Sequence, residues 1–147
     1  MKLLIDADGC PVVDPAIRLC REFSVPCFLL CDTSHSFSRP GAQTLVFDKG
    51  ADSVDFSLVN RVSPGDIVVT QDYGLASMCL ARKAVVLHQD GWIYDEMNIE
   101  GLLLIRHESR KLRNAGVRMK GAKKRSHAQN QSFEACLRSV LQTAVQG

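Results

Sequence analysis

A chain of 147 residues, 46% hydrophobic and 23% charged, is one ordinary globular domain with enough apolar material to bury a core. Its longest apolar runs, such as Gly101 to Ile105, are far too short to cross a bilayer, and Lys2 before a run interrupted at Asp6 is no signal peptide, so a cytoplasmic protein is expected. The formal net charge of +2 conceals an asymmetry: residues 1–105 hold 14 acids against 8 Lys or Arg, whereas residues 106–125 hold nine Lys or Arg against Glu108 alone.

In chain order, residues 2–6 read as a strand. Asp14-Pro15 supplies an N-cap and an N1 proline for a helix through about Phe23. "PCFLLC" is a second strand, "TSHSFSRPG" a polar loop and "QTLVFD" a third strand. "DSVDFSLVNRV" has helical apolar spacing at 54, 58, 59 and 62. The turn "SPGD" leads into "IVVT", a short β-branched strand; "GLASMCLARK" is helical, and "AVVLH" is a last strand before a turn at Gly91. Residues 106–125 lose apolar periodicity after Leu112 and read as a basic loop or arm, and a C-terminal helix is expected over about 131–145. Aliphatic strands alternating with helices predict an α/β fold, a three-layer sandwich around a mostly parallel sheet. There is no internal repeat and no second domain.

The six cysteines (Cys10, Cys20, Cys27, Cys31, Cys79 and Cys136) contain no CxxC pair, and without a secretory signal they read as reduced thiols rather than disulfides or zinc ligands. The histidines His35, His88, His107 and His127 have no partner at a metal-ligand spacing and read as surface or phosphate-contacting residues.

The carboxylates carry more information. In "LLIDADGCP" an apolar strand ends abruptly in Asp6 and Asp8, two apart and therefore on one side of a continuing strand. A loop carboxylate bonded to its own backbone would account for Asp8, but it leaves Asp6, at the rim of a buried strand, unexplained. Asp72 follows the buried strand "IVVT" and is a favoured N-cap, yet a parallel neighbouring strand would bring it close to Asp6. Asp52 and Asp55 open the next helix, where they serve equally as an acidic capping pair or as carboxylates aimed at the same sheet edge. Ligands of parallel sheets gather beyond the carboxyl ends of the strands, and carboxylates crowded there repel one another unless a cation sits between them. Asp14 is explained by capping, while Asp48, Asp66, Asp90 and Asp95 adjoin turns and read as solvated.

"IDADGCP" at the start, "DSVD" opening a helix and "GDIVVTQDYGLA" together resemble the YaiI/YqxD family of small bacterial proteins, from Met1 to about Gly121 and more loosely to the final helix. Through that family the chain is similar to the PIN-like superfamily, whose domains are α/β sandwiches and often metal-dependent ribonucleases. The resemblance implies a single PIN-like domain over residues 1–147. It implies a Mg²⁺ or Mn²⁺ site on Asp6, on Asp55 or Asp52, and on Asp72, with Thr70 alongside; Asp8 belongs to the narrower family's opening, where Gly9 stands in place of the usual Ala. Two departures are visible: Gln129 occupies a position where relatives commonly carry an acid, and Gly121-Ala122 replaces their Gly-Pro.

Carboxylates around one or two hard cations suit hydrolysis of a phosphodiester. The catalytic candidates are Asp6, Asp8, Asp55 and Asp72, with Asp52 added as a metal ligand. The basic segment, Arg106, Arg110, Lys111, Arg113, Arg118, Lys120, Lys123, Lys124 and Arg125, would hold the rest of a polyanion, RNA rather than DNA by analogy with the superfamily. Its charges, exposed in a loop, are expected to contribute little to folding. Two rivals stand beside this expectation. One is a non-catalytic RNA-binding or regulatory module. The other is a haloacid-dehalogenase-like phosphatase, which also opens on D-x-D but wants Thr or Val where Cys10 stands and an acidic pair after a later strand.

Overall fold

Leu3 to Ile5 and Ile67 to Val69 are fully buried, and two such aliphatic runs can satisfy their backbone groups in an apolar interior only by pairing. They form the middle of a six-stranded sheet. The computed structural model describes residues 1–32, 38–49, 53–118 and 124–146. Along the chain run β1 (Leu3–Asp6), α1 (Val13–Glu22), β2 (Cys27–Asp32), β3 (Gln43–Phe47), α2 (Ser53–Arg61), β4 (Ile67–Val69), α3 (Tyr73–Ala81), β5 (Val85–His88), β6 (Trp92–Tyr94), α4 (Glu96–Asn114) and α5 (His127–Gln146). The strand order is β3-β2-β1-β4-β5-β6. Ile5 is level with Leu29 on one side and Val69 on the other, and every pairing is parallel except that of β6, which returns antiparallel along β5.

Side-chain alternation in the strands splits the core in two. Leu3 and Ile5 face α1 and α5, where Ile17, Phe133, Leu137 and Leu141 cover them. Leu4, Val68 and Val86 face the other way, beneath Leu58 of α2, Leu75 of α3 and Ile99 of α4. The result is a three-layer α/β/α sandwich with a mostly parallel sheet. β1 leads through α1 to one side of the sheet and β4 leads through α3 to the other, so the chain changes direction between them. A crevice opens at the carboxyl ends of strands that diverge in this way. Among the described residues, no helix is long and apolar enough to cross a membrane. The six cysteines are free thiols, four of them buried.

Several local expectations are corrected. α1 begins at Val13, two residues earlier than expected, and Asp14 is not its cap: Val12 holds that place without a side-chain bond, while Asp14 accepts from Arg39 Nε at 3.1 Å. Pro15 is tolerated because N–H groups of a first helical turn have no intrahelical acceptor. β5 is not the last strand, since β6 follows at once. The basic stretch is no loop through Asn114: residues 96–114 are one helix. Asp95 caps it, accepting from Met97 and Asn98 while the Asn98 side chain accepts from the Asp95 N–H. Asp95 is therefore a capping residue, and Lys111 and Arg113 in the last turn suit the negative end of the helix dipole. α5 begins at His127, earlier than expected, with the Gln129 amide oxygen accepting the Ser126 N–H at 2.7 Å. Asp66 is not solvated but 2% exposed, bound by Lys2 Nζ at 2.6 Å and by the N–H groups of Ser63 and Lys2.

Candidate functional site

The site lies where β1 and β4 end side by side. Asp6 closes β1, and its Oδ2 accepts a 2.9 Å hydrogen bond from Thr70 Oγ1, just beyond β4. Thr70, 2% exposed, joins three elements: its hydroxyl oxygen accepts the Asp72 N–H at 3.0 Å, and its carbonyl accepts the Tyr94 hydroxyl at 3.1 Å. Burial raises the Tyr94 phenol well above its ordinary range, which keeps the proton that this bond donates.

The chain does not continue straight after Asp6. Residues 7–10 turn, closed by Cys10 N–H to Ala7 O at 3.0 Å, with Gly9 at φ +71, a left-handed conformation that suits glycine. The turn separates the two aspartates that a straight strand would hold on one side. Asp6 bonds toward β4, whereas Asp8 Oδ2 accepts the N–H of Asp32 at the end of β2.

Asp72 is the N-cap of α3 and accepts from Gly74 and Leu75. The same oxygen also takes Arg106 Nη1, reaching across from α4 at 3.1 Å. Gly74 gives that guanidinium its room, because a Cβ there would stand 3.2 Å from Arg106 Nη1. Asp55, in the first turn of α2, faces Asp72 and Arg106 across a hollow of about 250 Å³ floored by Leu75. A larger hollow, about 540 Å³, lies at the opposite end of β4 and β5; its walls, such as Met1, Ile67, Val85 and Val140, are apolar, and it holds none of the candidate site residues.

The electrostatics of the cluster converge on Asp6. Its carboxyl is raised from 3.8 to about 6, first by burial and then by Asp55, Asp72 and Asp8, with the Thr70 hydrogen bond acting the other way. Among the described residues, no three His, Cys, Asp or Glu side chains stand close enough together to hold one metal ion. Asp52, the other helix-opening acid, lies outside the described residues. So do Lys120, Lys123 and His35.

A second cluster adjoins the first at the end of β5. His88, 8% exposed, is not a surface residue: it stacks on Trp92 with ring centres 4.5 Å apart and accepts the Asp90 N–H at Nδ1. Burial lowers its pKa, favouring the neutral ring that this bond requires. Asp90 is likewise not free in solvent, since it accepts from Arg125 Nη1 at 2.6 Å, and Arg125 also bonds Gln89 O and the Asn130 side chain at 2.7 Å each. Arg125 thus ties the start of α5 to the β5–β6 turn.

Of the remaining expected basic contacts, Arg110, Lys111, Arg113, Arg118 and Lys124 are exposed, and Arg106 belongs to the acidic site. Three groups escape sequence reasoning here: Asp32 at the end of β2, Tyr94 holding Thr70, and Arg106 as the partner of Asp72. Asp32 could have been found, because it ends an aliphatic strand as Asp6 does; the other two carry no local signal. Asp66, bonded at the opposite edge of the sheet, supplies no acid pair of the dehalogenase kind.

This fold and cluster define an α/β protein with an acidic crevice at the point where its sheet changes direction. The chain belongs to the YaiI/YqxD family: residues 4–143 match the family model described as "Uncharacterized BCR, YaiI/YqxD family". It is 52% identical over 141 residues to a UPF0178 protein of Exiguobacterium sibiricum, with 96% of each chain covered. Other UPF0178 proteins are similar over nearly their whole length: one from Clostridium acetobutylicum at 42% (96% of this chain and 97% of the relative), and one from Bacillus anthracis at 38% (96% and 99%). No solved structure matches the chain.

Proposed function

We propose that the acidic crevice is the site of a divalent-cation-dependent nuclease acting on RNA phosphodiester bonds, as in PIN-like domains. The observation that carries this reading is the placement of Asp6 at the switch point, with Asp8, Asp55 and Asp72 all acting on its charge. Four hard oxygen donors on three elements are chemically suited to Mg²⁺ or Mn²⁺ rather than to softer metals. Asp6, Asp55 and Asp72 would hold the ion, once Asp72 gives up Arg106 and the carboxylates draw closer than they stand here. A bound ion would polarise a phosphoryl oxygen and acidify a water molecule.

The chain's own residues have defined tasks in this reading. Thr70 orients Asp6, and Tyr94 fixes Thr70 through its carbonyl. Arg106, released from Asp72, is a cation lining the crevice and would bind a substrate phosphate through its planar guanidinium. Arg110, Arg113 and Arg118, exposed on and beyond the end of the same helix, extend the positive surface along which a strand would lie.

One observation favours a second reading, an RNA-binding module without catalysis: the Arg106–Asp72 ion pair already neutralises a carboxylate that the ion would need. The test is incubation of 5′-labelled RNA with the parent and Asp6→Asn proteins, with Mn²⁺, Mg²⁺ or chelator. Cleavage by the parent alone, dependent on the metal, is expected. Binding without cleavage would establish the second reading, and neither binding nor cleavage would overturn both.

A further inference from the structure

Among the described residues, helix α4 touches its own domain with one face only. Ile99 is its buried residue, Leu102, Leu103 and Arg106 flank it half-buried, and everything from Arg110 to Arg118 is exposed. The opposite face presents Met97 at 93% exposure, Leu104 at 61%, Ile105 at 62% and Leu112 at 44%. Large apolar side chains on a single solvent-facing stripe mark an interaction surface, because nothing in the packing of the described residues requires them there.

The spacing of the stripe identifies its occupant. Met97 and Leu112 are equally far in sequence from the midpoint between Leu104 and Ile105, and so are Gly101 and Glu108. A stripe with this symmetry is complementary to itself when a second helix runs antiparallel across it. Charge agrees with the spacing. Glu100 lies in the first half of the helix and Lys111 in the second, so the antiparallel arrangement sets one copy's Glu100 toward the other's Lys111, while Glu108 falls opposite the partner's Gly101. Glu100 and Lys111 share one flank of the stripe at helical periodicity, and like flanks meet in an antiparallel pair. Gly101 is the third sign. A glycine inside a helix costs about 1 kcal/mol relative to alanine, and a Cβ added there would meet nothing within 4 Å, so no neighbour among the described residues needs the space. A closely crossing helix does.

We infer that α4 is a homodimerisation helix: two copies of this chain pair their α4 helices antiparallel about a two-fold axis between Leu104 and Ile105. Leu104 packs on the partner's Ile105, Met97 on the partner's Leu112, and Glu100 faces the partner's Lys111. The contact is isologous and closes on itself, so it yields a dimer and not a filament.

Sedimentation velocity of the full chain tests this. The parent is expected at twice the 16.2 kDa chain mass. Leu104→Glu places like charges beside the axis and is expected to weaken the dimer at least about tenfold, with the far-ultraviolet circular dichroism of the monomer retained because the side chain is exposed. Glu100→Lys and Lys111→Glu should each weaken it, and the double exchange should restore it. A parent that sediments as a monomer at about 100 μM, or a dimer indifferent to Leu104→Glu, overturns the inference. A dimer lost with Leu104→Glu but not restored by the double exchange overturns the antiparallel register.

Discussion

Asp6 is held in a place where its charge is unwelcome, and the sign of that effect can be worked out. Its carboxyl is raised from 3.8 to about 6 by burial and by the acids around it. Between those two values the folded chain keeps a proton that the unfolded chain has released, so stability falls as the pH rises through this window and stays low above it. The cost above the window is on the order of 2–3 kcal/mol. Asp6→Asn cannot ionise, and its amide oxygen can still accept from Thr70. The variant should therefore melt higher than the parent at neutral and alkaline pH in chelator, gain nothing below pH 3.8, and lose any stabilisation that Mn²⁺ gives the parent. Thermal melts across pH measure this; an Asn variant that melts lower at alkaline pH would assign Asp6 a structural task instead. Asp6 was legible in the sequence because it ends a buried apolar strand where no charge belongs, and Asp72 because it follows the neighbouring strand closely, at the start of a helix. The partners that define their state were not: Arg106 stands 34 residues from Asp72, and Tyr94 stands 24 from Thr70. No local pattern spans such separations. The bend after Asp6, which sends Asp8 toward β2, needed the backbone of Gly9 to be seen.

The elements legible in the sequence are those with buried apolar residues of their own: the aliphatic strands β1, β2, β4 and β5, and helices such as α2 and α5 whose buried side chains recur at helical spacing. Those that were missed have little buried apolar surface of their own. β6 is three residues long, and α4 buries Ile99 alone, so its apolar residues fall on both faces and blur the helical period. What holds α4 at its start is a cap, with Asn98 where glutamate or glutamine is the familiar signal. The start of α5 shows the same gap between charge and role. Arg125 was expected to be a solvated phosphate contact, yet its side chain is 21% exposed and serves Asp90, Gln89 and Asn130 at once. Arg125→Ala should destabilise the protein by about 2 kcal/mol, because it leaves the half-buried Asp90 without its cation. Lys124→Ala, one position earlier and exposed, should leave the denaturation midpoint unchanged. Urea unfolding of the two variants makes the comparison, and equal midpoints would return Arg125 to the surface set. Gly91 supports the same junction: at φ +91 its missing Cβ makes room for the carbonyl of Ser132 in α5.

Across the whole molecule, charge is distributed by position in the fold as well as along the sequence. The carboxylates gather at the crevice, and the exposed arginines continue from it along α4 and past its end. If that surface binds RNA through phosphates, affinity must fall steeply with salt, by a log–log slope of about −0.7 per contact on a single strand. Replacing Arg110, Arg113 and Arg118 together with alanine should flatten the slope by about 2. The melting temperature should hold, since these side chains are exposed. Fluorescence anisotropy over a salt series provides the measurement, and a slope indifferent to the triple change would mean that the basic face is only solvated. The central position of β1 also shapes how the molecule comes into being. The strand is synthesised before both of its neighbours, and Asp66, which bonds Lys2, is made more than sixty residues later. β1 cannot be paired on both sides until β4 has left the ribosome, so the nascent chain carries an unfinished sheet edge until then. Thr70 links Asp6 to Asp72 only when that edge closes, and the acidic crevice cannot be assembled before the centre of the sheet is complete.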